Sequence, residues 1–198
     1  MSELNFKNTF SPLSSAELIA REKNNMDDKR FQHCIGVSET SRKLAELNHY
    51  DPDKAALAGF VHDYAKQVPN ERFIEIIKNQ GFDTDLLNYN RAIWHGIVGA
   101  YLVEKELKIT DPEILTAIRR HTTADTEMTT LDKIVFVADF IEPHRDFPGV
   151  DEARKVAFAD LDQGVGYELA HTLQFLVGNR QKIYPKTLDA YNVWAIKK

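Results

Sequence analysis

A histidine and an aspartate stand side by side, His62-Asp63, inside the apolar stretch AALAGFVHDYAK. The stretch reads as a helix, and at roughly 3.6 residues per turn neighbouring side chains point about 100° apart. An adjacent pair can therefore grip one ion from two directions, or let the carboxylate bridge two ions. Residues of ligand type recur at helix-like positions along the chain: His33, His95, His121 and Asp139. A fold for this sequence has to bring these helices to one place.

Start and stop signals divide the chain into helices almost from end to end. Ser14-Ser15-Ala16-Glu17 is a capping box that opens a short amphipathic helix. Asp28 caps a second, running to about Asn48. Asp51-Pro52 pairs an N-cap with proline at the first helical position, and the helix it opens carries His62-Asp63 and stops before Pro69. A fourth runs from about Glu71 to Gly81, a residue suited to the position past a helix end. His95 falls in a long helix from about Arg91 to Leu107. Thr110-Asp111-Pro112-Glu113 opens the next, which ends near His121. Thr129 or Thr130 starts the helix that contains IVFVADFIE and ends at Pro143; Asp151–Leu161 and Tyr167–Gly178 read as two more. IVFVADFI is β-branched enough to pass for a buried strand, but its cap and spacing favour a helix. The expected flexible stretches are 1–13, 123–127 and 144–150.

A chain of 198 residues suffices for one domain with a full core. Its net charge of −5 argues against nucleic acid or an anionic membrane as partner, since both call for a positive field. The single cysteine, Cys34, leaves no intramolecular disulfide and no cysteine-based zinc cluster. The opening MSELNFKNTFSPLSS has no apolar core of the signal-peptide kind, and no apolar run is long enough to span a bilayer. The expected location is the cytoplasm.

A lone histidine on an apolar helix face is more often a hydrogen-bonded core residue than a ligand. The ordered set reads differently. His62 shares a face with the small residues Ala55, Ala58 and Gly59, which leave room for another helix or an ion. His95 sits one turn before Gly99, and His121 projects from the apolar side of its helix. Asp139 lies among Val135, Phe136, Val137, Ala138, Phe140 and Ile141. An isolated carboxylate buried there costs several kcal/mol, so it calls for a cation. Imidazole and carboxylate suit Fe, Mn, Zn or Mg. His49, His144 and His171 read as helix-end, surface or core positions.

These segments, QHCIGVSETS, AGFVHDYAK, WHGIVGA, AIRRHT, LDKIVFVADFIEPHR and NRQKIYPKTLDAYN, resemble the HD-domain superfamily of metal-dependent phosphohydrolases. The nearer resemblance is to its YqeK family of symmetrical bis(5′-nucleosyl)-tetraphosphatases. It implies an all-α HD-domain bundle, a single domain over 1–198 with 1–13 as a flexible tail. It implies that diadenosine tetraphosphate is split into two ADP. His33, His62, Asp63 and Asp139 would hold an iron ion, with Mn or Zn as the other candidates. His95 and His121 would hold a second metal or contact phosphate. Lys66 and Arg145 would neutralise phosphate charge, with Asp63, Lys66, His95 and His121 as the catalytic group. His33, Asp63, Lys66, His95, His121, Asp139 and Arg145 would all line the substrate.

The chemistry of the residues agrees with that expectation. Cleaving a diphosphate linkage needs in-line attack by water; a metal lowers the pKa of water towards about 7 and orients it. Basic side chains stabilise the charge that develops. Arg120 and Lys133 are candidates for a supporting role. Lys182, Tyr184, Pro185 and Thr187 form an irregular segment that reads as a lip over a nucleotide: a ring and a proline for the base, donors for phosphate or ribose. Two other functions fit the same residues: a phosphohydrolase for another nucleotide, including guanosine tetraphosphate, and a nucleotide-binding sensor without turnover. A homodimer through an apolar helix face is the expected assembly.

Overall fold

A computed structural model describes residues 4–7 and 9–196. Among them are eleven α-helices and no strand, as the capping signals and helical periodicities led us to expect. None of these helices is long and apolar enough to cross a membrane.

Capping chemistry sets most of the boundaries. The Ser14–Glu17 box opens α1 (Ser15–Asn25). Asp27, one residue earlier than expected, caps α2 (Asp28–Leu47) by accepting from the Arg30 N–H at 2.8 Å. Asp51 and Pro52 start α3 (Pro52–Val61). α4 covers Asn70–Asn79, and Gly81 lies just beyond it at φ +75°, a left-handed angle that favours glycine.

The long helix expected over 91–107 is divided. α5 (Arg91–Ile97) gives way at Val98 to the short α6 (Gly99–Leu102) and then to a wider π turn over Val103–Leu107. At the break, the Tyr101 N–H turns to the Val98 carbonyl, three residues back, at 3.1 Å. Asp111 and Pro112 open α7 (Pro112–Arg120), and a Thr129–Asp132 capping box opens α8 (Thr130–Ile141). α9 spans Val150–Ala159. α10 (Leu161–Gly178) begins well before the expected Tyr167, because Asp160 caps it through the Gln163 N–H at 3.0 Å. α11 (Pro185–Trp194) takes Pro185 and Thr187 into its first turn, so these two are helical and not irregular.

α3 is the centre of the bundle. Every residue from Ala55 to Val61 is buried, whichever way it points, as expected for a helix packed on all sides. α2, α7 and α8 surround it. α2 comes closest at Gly59: a Cβ there would fall 2.4 Å from Ser41 Oγ and 2.9 Å from the Val37 carbonyl oxygen. The regular helix stops at Val61, short of Pro69, and the chain continues in tighter turns; the Lys66 N–H bonds to the Asp63 carbonyl at 2.8 Å.

Segments that read as flexible make long-range contacts. The Trp194 indole N–H donates to the Asp125 carbonyl at 2.9 Å, and Lys186 pairs with the Asp125 carboxylate at 2.7 Å, which pins the 123–127 turn. Arg154 donates to the carbonyls of Ile141, Glu142 and Arg145 at 2.9–3.1 Å and ties down the start of 144–150. Of the stretch 1–13, residues 1–3 and 8 lie outside the described residues. Phe6 is buried with its ring 5.1 Å from that of Phe60, and the Ser11 hydroxyl donates to the Leu107 carbonyl at 2.8 Å.

Gly59→Ala is expected to destabilise the protein by about 1–3 kcal/mol, since α2 must move away from α3. Urea unfolding followed by circular dichroism should place its midpoint below that of the unaltered chain, with the same dependence on denaturant. An unshifted midpoint would mean that the α2–α3 contact can accept an extra methyl group.

Candidate metal centre

Three segments carry the expected ligands to one point. His33 comes from the second turn of α2, His62 and Asp63 from the end of α3, and Asp139 from the last turns of α8. His95 on α5 and His121 at the end of α7 complete the group. His62, Asp63, His95 and His121 are at most 1% exposed. Asp63 stands between them. Its Oδ2 lies 3.5 Å from His62 Nε2 and 3.8 Å from His33 Nε2, while Oδ1 lies 3.2 Å from His95 Nε2 and 3.5 Å from His121 Nε2. Asp139 Oδ1 is 3.1 Å from His33 Nε2 and 3.8 Å from His62 Nε2.

All four histidines are held in the same manner. His62 Nδ1 faces the Gly59 carbonyl at 2.7 Å, His95 Nδ1 the Arg91 carbonyl at 2.9 Å, and His121 Nδ1 the Ile118 carbonyl at 2.7 Å. His33 Nδ1 meets Glu142 Oε1 at 3.1 Å. A carbonyl or carboxylate there takes the Nδ1–H, which leaves the Nε2 lone pair pointing inward. This is the usual support for a metal-binding histidine. Gly36 makes room for the fourth of these supports: a Cβ on it would fall 2.4 Å from Glu142 Oε2. Burial pushes the His62 imidazole down to about 3 and that of His95 down to about 4. Both are therefore neutral acceptors at pH 7.

The donors fit a cation. His33 Nε2, His62 Nε2 and Asp63 Oδ1 are buried without a hydrogen-bond partner, an expensive condition for polar atoms. Two sets, His33–His62–Asp139 and His62–Asp63–His121, have ligand atoms all within 4.8 Å of one another. Burial alone would raise the Asp139 carboxyl, yet the Arg145 guanidinium beside it holds it well below the usual carboxylate range. Neutral imidazoles with carboxylates suit a borderline or hard divalent metal.

Basic side chains surround the group. Lys66 Nζ lies 3.0 Å from His95 Nε2 and 3.5 Å from Asp63 Oδ1. Arg145 pairs with the Asp139 carboxylate and donates through Nε to its carbonyl at 2.8 Å. Arg30, which the sequence reading did not select, meets Asp63 Oδ2 at 2.8 Å. Its place one turn before His33 on the same helix was a usable signal. Glu142 and Thr122 also escaped that reading, although both lie inside the segments quoted for the resemblance. Arg120 and Lys133 stand apart, paired with Asp132 at 2.7 Å and Asp162 at 2.6 Å.

A cleft of about 560 Å³ opens beside the centre and reaches it at Thr122. Tyr89, Thr172, Lys182, Tyr184 and Thr187 are among its walls. The Tyr89 and Tyr184 rings meet edge to face at 4.9 Å, and Lys182 Nζ lies 4.4 Å over the Tyr89 ring. Pro185 is exposed and does not line the cleft. Tyr89, Asn88 and Asn90, distant in sequence from the tail, offered no signal before the fold was known.

The family model for the HD domain matches residues 30–143. The symmetrical bis(5′-nucleosyl)-tetraphosphatase of Bacillus subtilis is 41% identical over 184 residues, 93% of this chain and 98% of that protein. The protein of the same name from Staphylococcus aureus is 38% identical over 185 residues, 92% and 94% of the two chains. Among solved structures, a predicted HD superfamily hydrolase involved in NAD metabolism from Clostridium acetobutylicum superposes with a TM-score of 0.88. It is 36% identical, and the match covers 92% of this chain and 97% of that one.

The buried donors should make stability depend on a divalent cation. Adding Mn²⁺, Fe²⁺ or Zn²⁺ to chelator-treated protein is expected to raise its Tm, because an ion bound only by the folded state stabilises it. Asp63→Ala should abolish the rise. A Tm indifferent to all three ions would remove the metal centre.

Proposed function

The chain belongs to the HD-domain family, and on that footing we propose that it is a metal-dependent hydrolase that splits diadenosine tetraphosphate symmetrically into two ADP. The observation that carries this reading is a buried histidine–aspartate cluster, ringed by Arg30, Lys66 and Arg145, at the end of a cleft walled by tyrosines. Relatives that carry the symmetrical tetraphosphatase name along nearly their whole length support the choice of substrate.

In this reading His33, His62, Asp63 and Asp139 would hold the metal, which we assign as iron; the same donors serve Mn or Zn. When bound, such an ion supplies Lewis-acid polarisation of phosphate and lowers the pKa of water. The chain's own groups do the rest. Lys66 and Arg145 face the phosphates and stabilise the charge that develops on their oxygens. His95 and His121 would hold a second metal or contact phosphate at the same place. Tyr89 and Tyr184 pack on a base, and Lys182 and Thr187 donate to ribose or phosphate. Both ring faces tolerate any purine, since every base has a π-face. Water attacks the β-phosphorus of the nucleotide in the cleft, the bond to the bridging oxygen breaks, and the distal half leaves as ADP. Nucleic acid and membrane have no place in the proposal, and the cytoplasm is the location it assigns.

Two experiments test this. Chromatography after incubation with diadenosine tetraphosphate and Mn²⁺ should reveal ADP alone, with ¹⁸O from labelled water on the terminal phosphate of one of the two products; AMP and ATP in equal amounts would overturn the proposal. Lys66→Ala and Arg145→Ala should each lower kcat/KM by about 10²- to 10³-fold while metal content stays nearly unchanged. Unaltered rates in these variants would assign both side chains to the surface.

A further inference from the structure

The hydroxyl of Thr122 stands where the cleft meets the centre. Its Oγ1 lies 3.0 Å from His121 Nε2 and 3.2 Å from His95 Nε2. Those two nitrogens are only 2.9 Å apart, and neither can supply a proton to the other while both Nδ1–H groups bond to backbone carbonyls. Two lone pairs so close need outside donors. Lys66 Nζ serves His95 at 3.0 Å, and the Thr122 O–H serves His121. Thr122 also lines the 560 Å³ cleft. Among the described residues that line it, no other has a polar atom hydrogen-bonded to an imidazole of the centre.

We propose that Thr122 is a substrate-contacting residue whose hydroxyl holds the phosphate chain at the cleft mouth and sets which phosphorus meets the centre. The inference rests on the nucleotide reading given above. A nucleoside packed against Tyr89 and Tyr184 must extend its phosphates past Thr122 to reach Asp63. The hydroxyl then passes its proton's hydrogen bond from the His121 imidazole to a non-bridging phosphate oxygen, a stronger acceptor because it is charged. The exchange uses the hydroxyl alone and makes no use of the methyl group. No covalent bond to threonine forms or breaks, so the residue acts by position alone. A hydroxyl fixed at one point along a chain of repeating, nearly identical phosphates is a register mark. Without it, the chain can slide by one phosphate.

The test compares Thr122→Val and Thr122→Ser with the unaltered chain, using diadenosine tetraphosphate and Mn²⁺. The unaltered chain must yield ADP alone; if it does not, the function itself fails, and the variants are not at issue. Given that activity, Thr122→Val should lose about 10- to 100-fold in kcat/KM, the range for a lost hydrogen bond to a charged group. It should also begin to release AMP and ATP. Its Tm rise with Mn²⁺ should persist, which separates loss of contact from loss of the centre. Thr122→Ser should restore both rate and product purity. Wild-type kinetics in Thr122→Val would overturn the proposal. So would a slowed valine variant that still releases ADP alone, which would make the hydroxyl a binding group without register. Should the valine variant not fold, Thr122→Ala takes its place as the variant without a hydroxyl: a serine variant as slow or as mixed in product as Thr122→Ala would assign the effect to the methyl group and overturn the proposal.

Discussion

Four imidazoles that turn their nitrogen lone pairs toward two carboxylates, in a space almost closed to water, are the constraint on which this molecule turns. Each Nδ1–H is committed outward, three to backbone carbonyls and one to Glu142. His62 and His95, neutral through burial, therefore bring Asp63 and Asp139 no positive charge. Lys66, Arg30 and Arg145 relieve part of this at the edges. The middle is left to a cation. Paired buried charges gain little over an apolar core and lose a great deal when one partner is missing. Such an arrangement is costly scaffolding unless the site has work to do.

The architecture answers that constraint with helix ends. His62 and His121 each sit on the cap of a helix, where the backbone tightens and a carbonyl three residues back can turn to the imidazole. A regular helix would spend those carbonyls on its own amides and point adjacent side chains about 100° apart. Where α3 gives way to tighter turns, His62 and Asp63 both reach the same group, although they are neighbours in sequence. Gly59 and Gly36 contribute through the absence of a side chain. The first lets α2 lie against α3; the second lets the Glu142 carboxylate lie over α2 and reach His33.

The C-terminal hairpin of α10 and α11 adds a second requirement, that the cleft and the centre keep a fixed relation. Trp194 and Lys186 fasten α11 to Asp125, close in sequence to Thr122 and His121. Gly166 on α10 permits this, since a Cβ there would fall 2.5 Å from the Trp194 carbonyl oxygen. Lys133, which looked like a helper for phosphate, instead lies 4.4 Å over the Trp194 ring and holds the same junction from α8. The wall of the cleft and the turn that follows His121 are thereby tied to each other.

Most of the helices and the ligand types were legible along the chain. Caps such as Asp51-Pro52 and Thr129–Asp132 act within one turn, so their chemistry is readable from neighbouring letters. The His-Asp pair and a carboxylate in an apolar helix likewise declare a need for a cation, because the energetic penalty of burying them is local. The remainder came from how the helices pack. The break at Val98 and the early start of α10 depend on what the helices pack against and on which of several acidic residues becomes the cap. Thr122 and Glu142 owe their place to contacts with residues 27 and 109 positions away. Tyr89 meets Tyr184 only because α11 folds back across the bundle. Those pairings follow from the shape of the packed core, and no local rule of spacing encodes them.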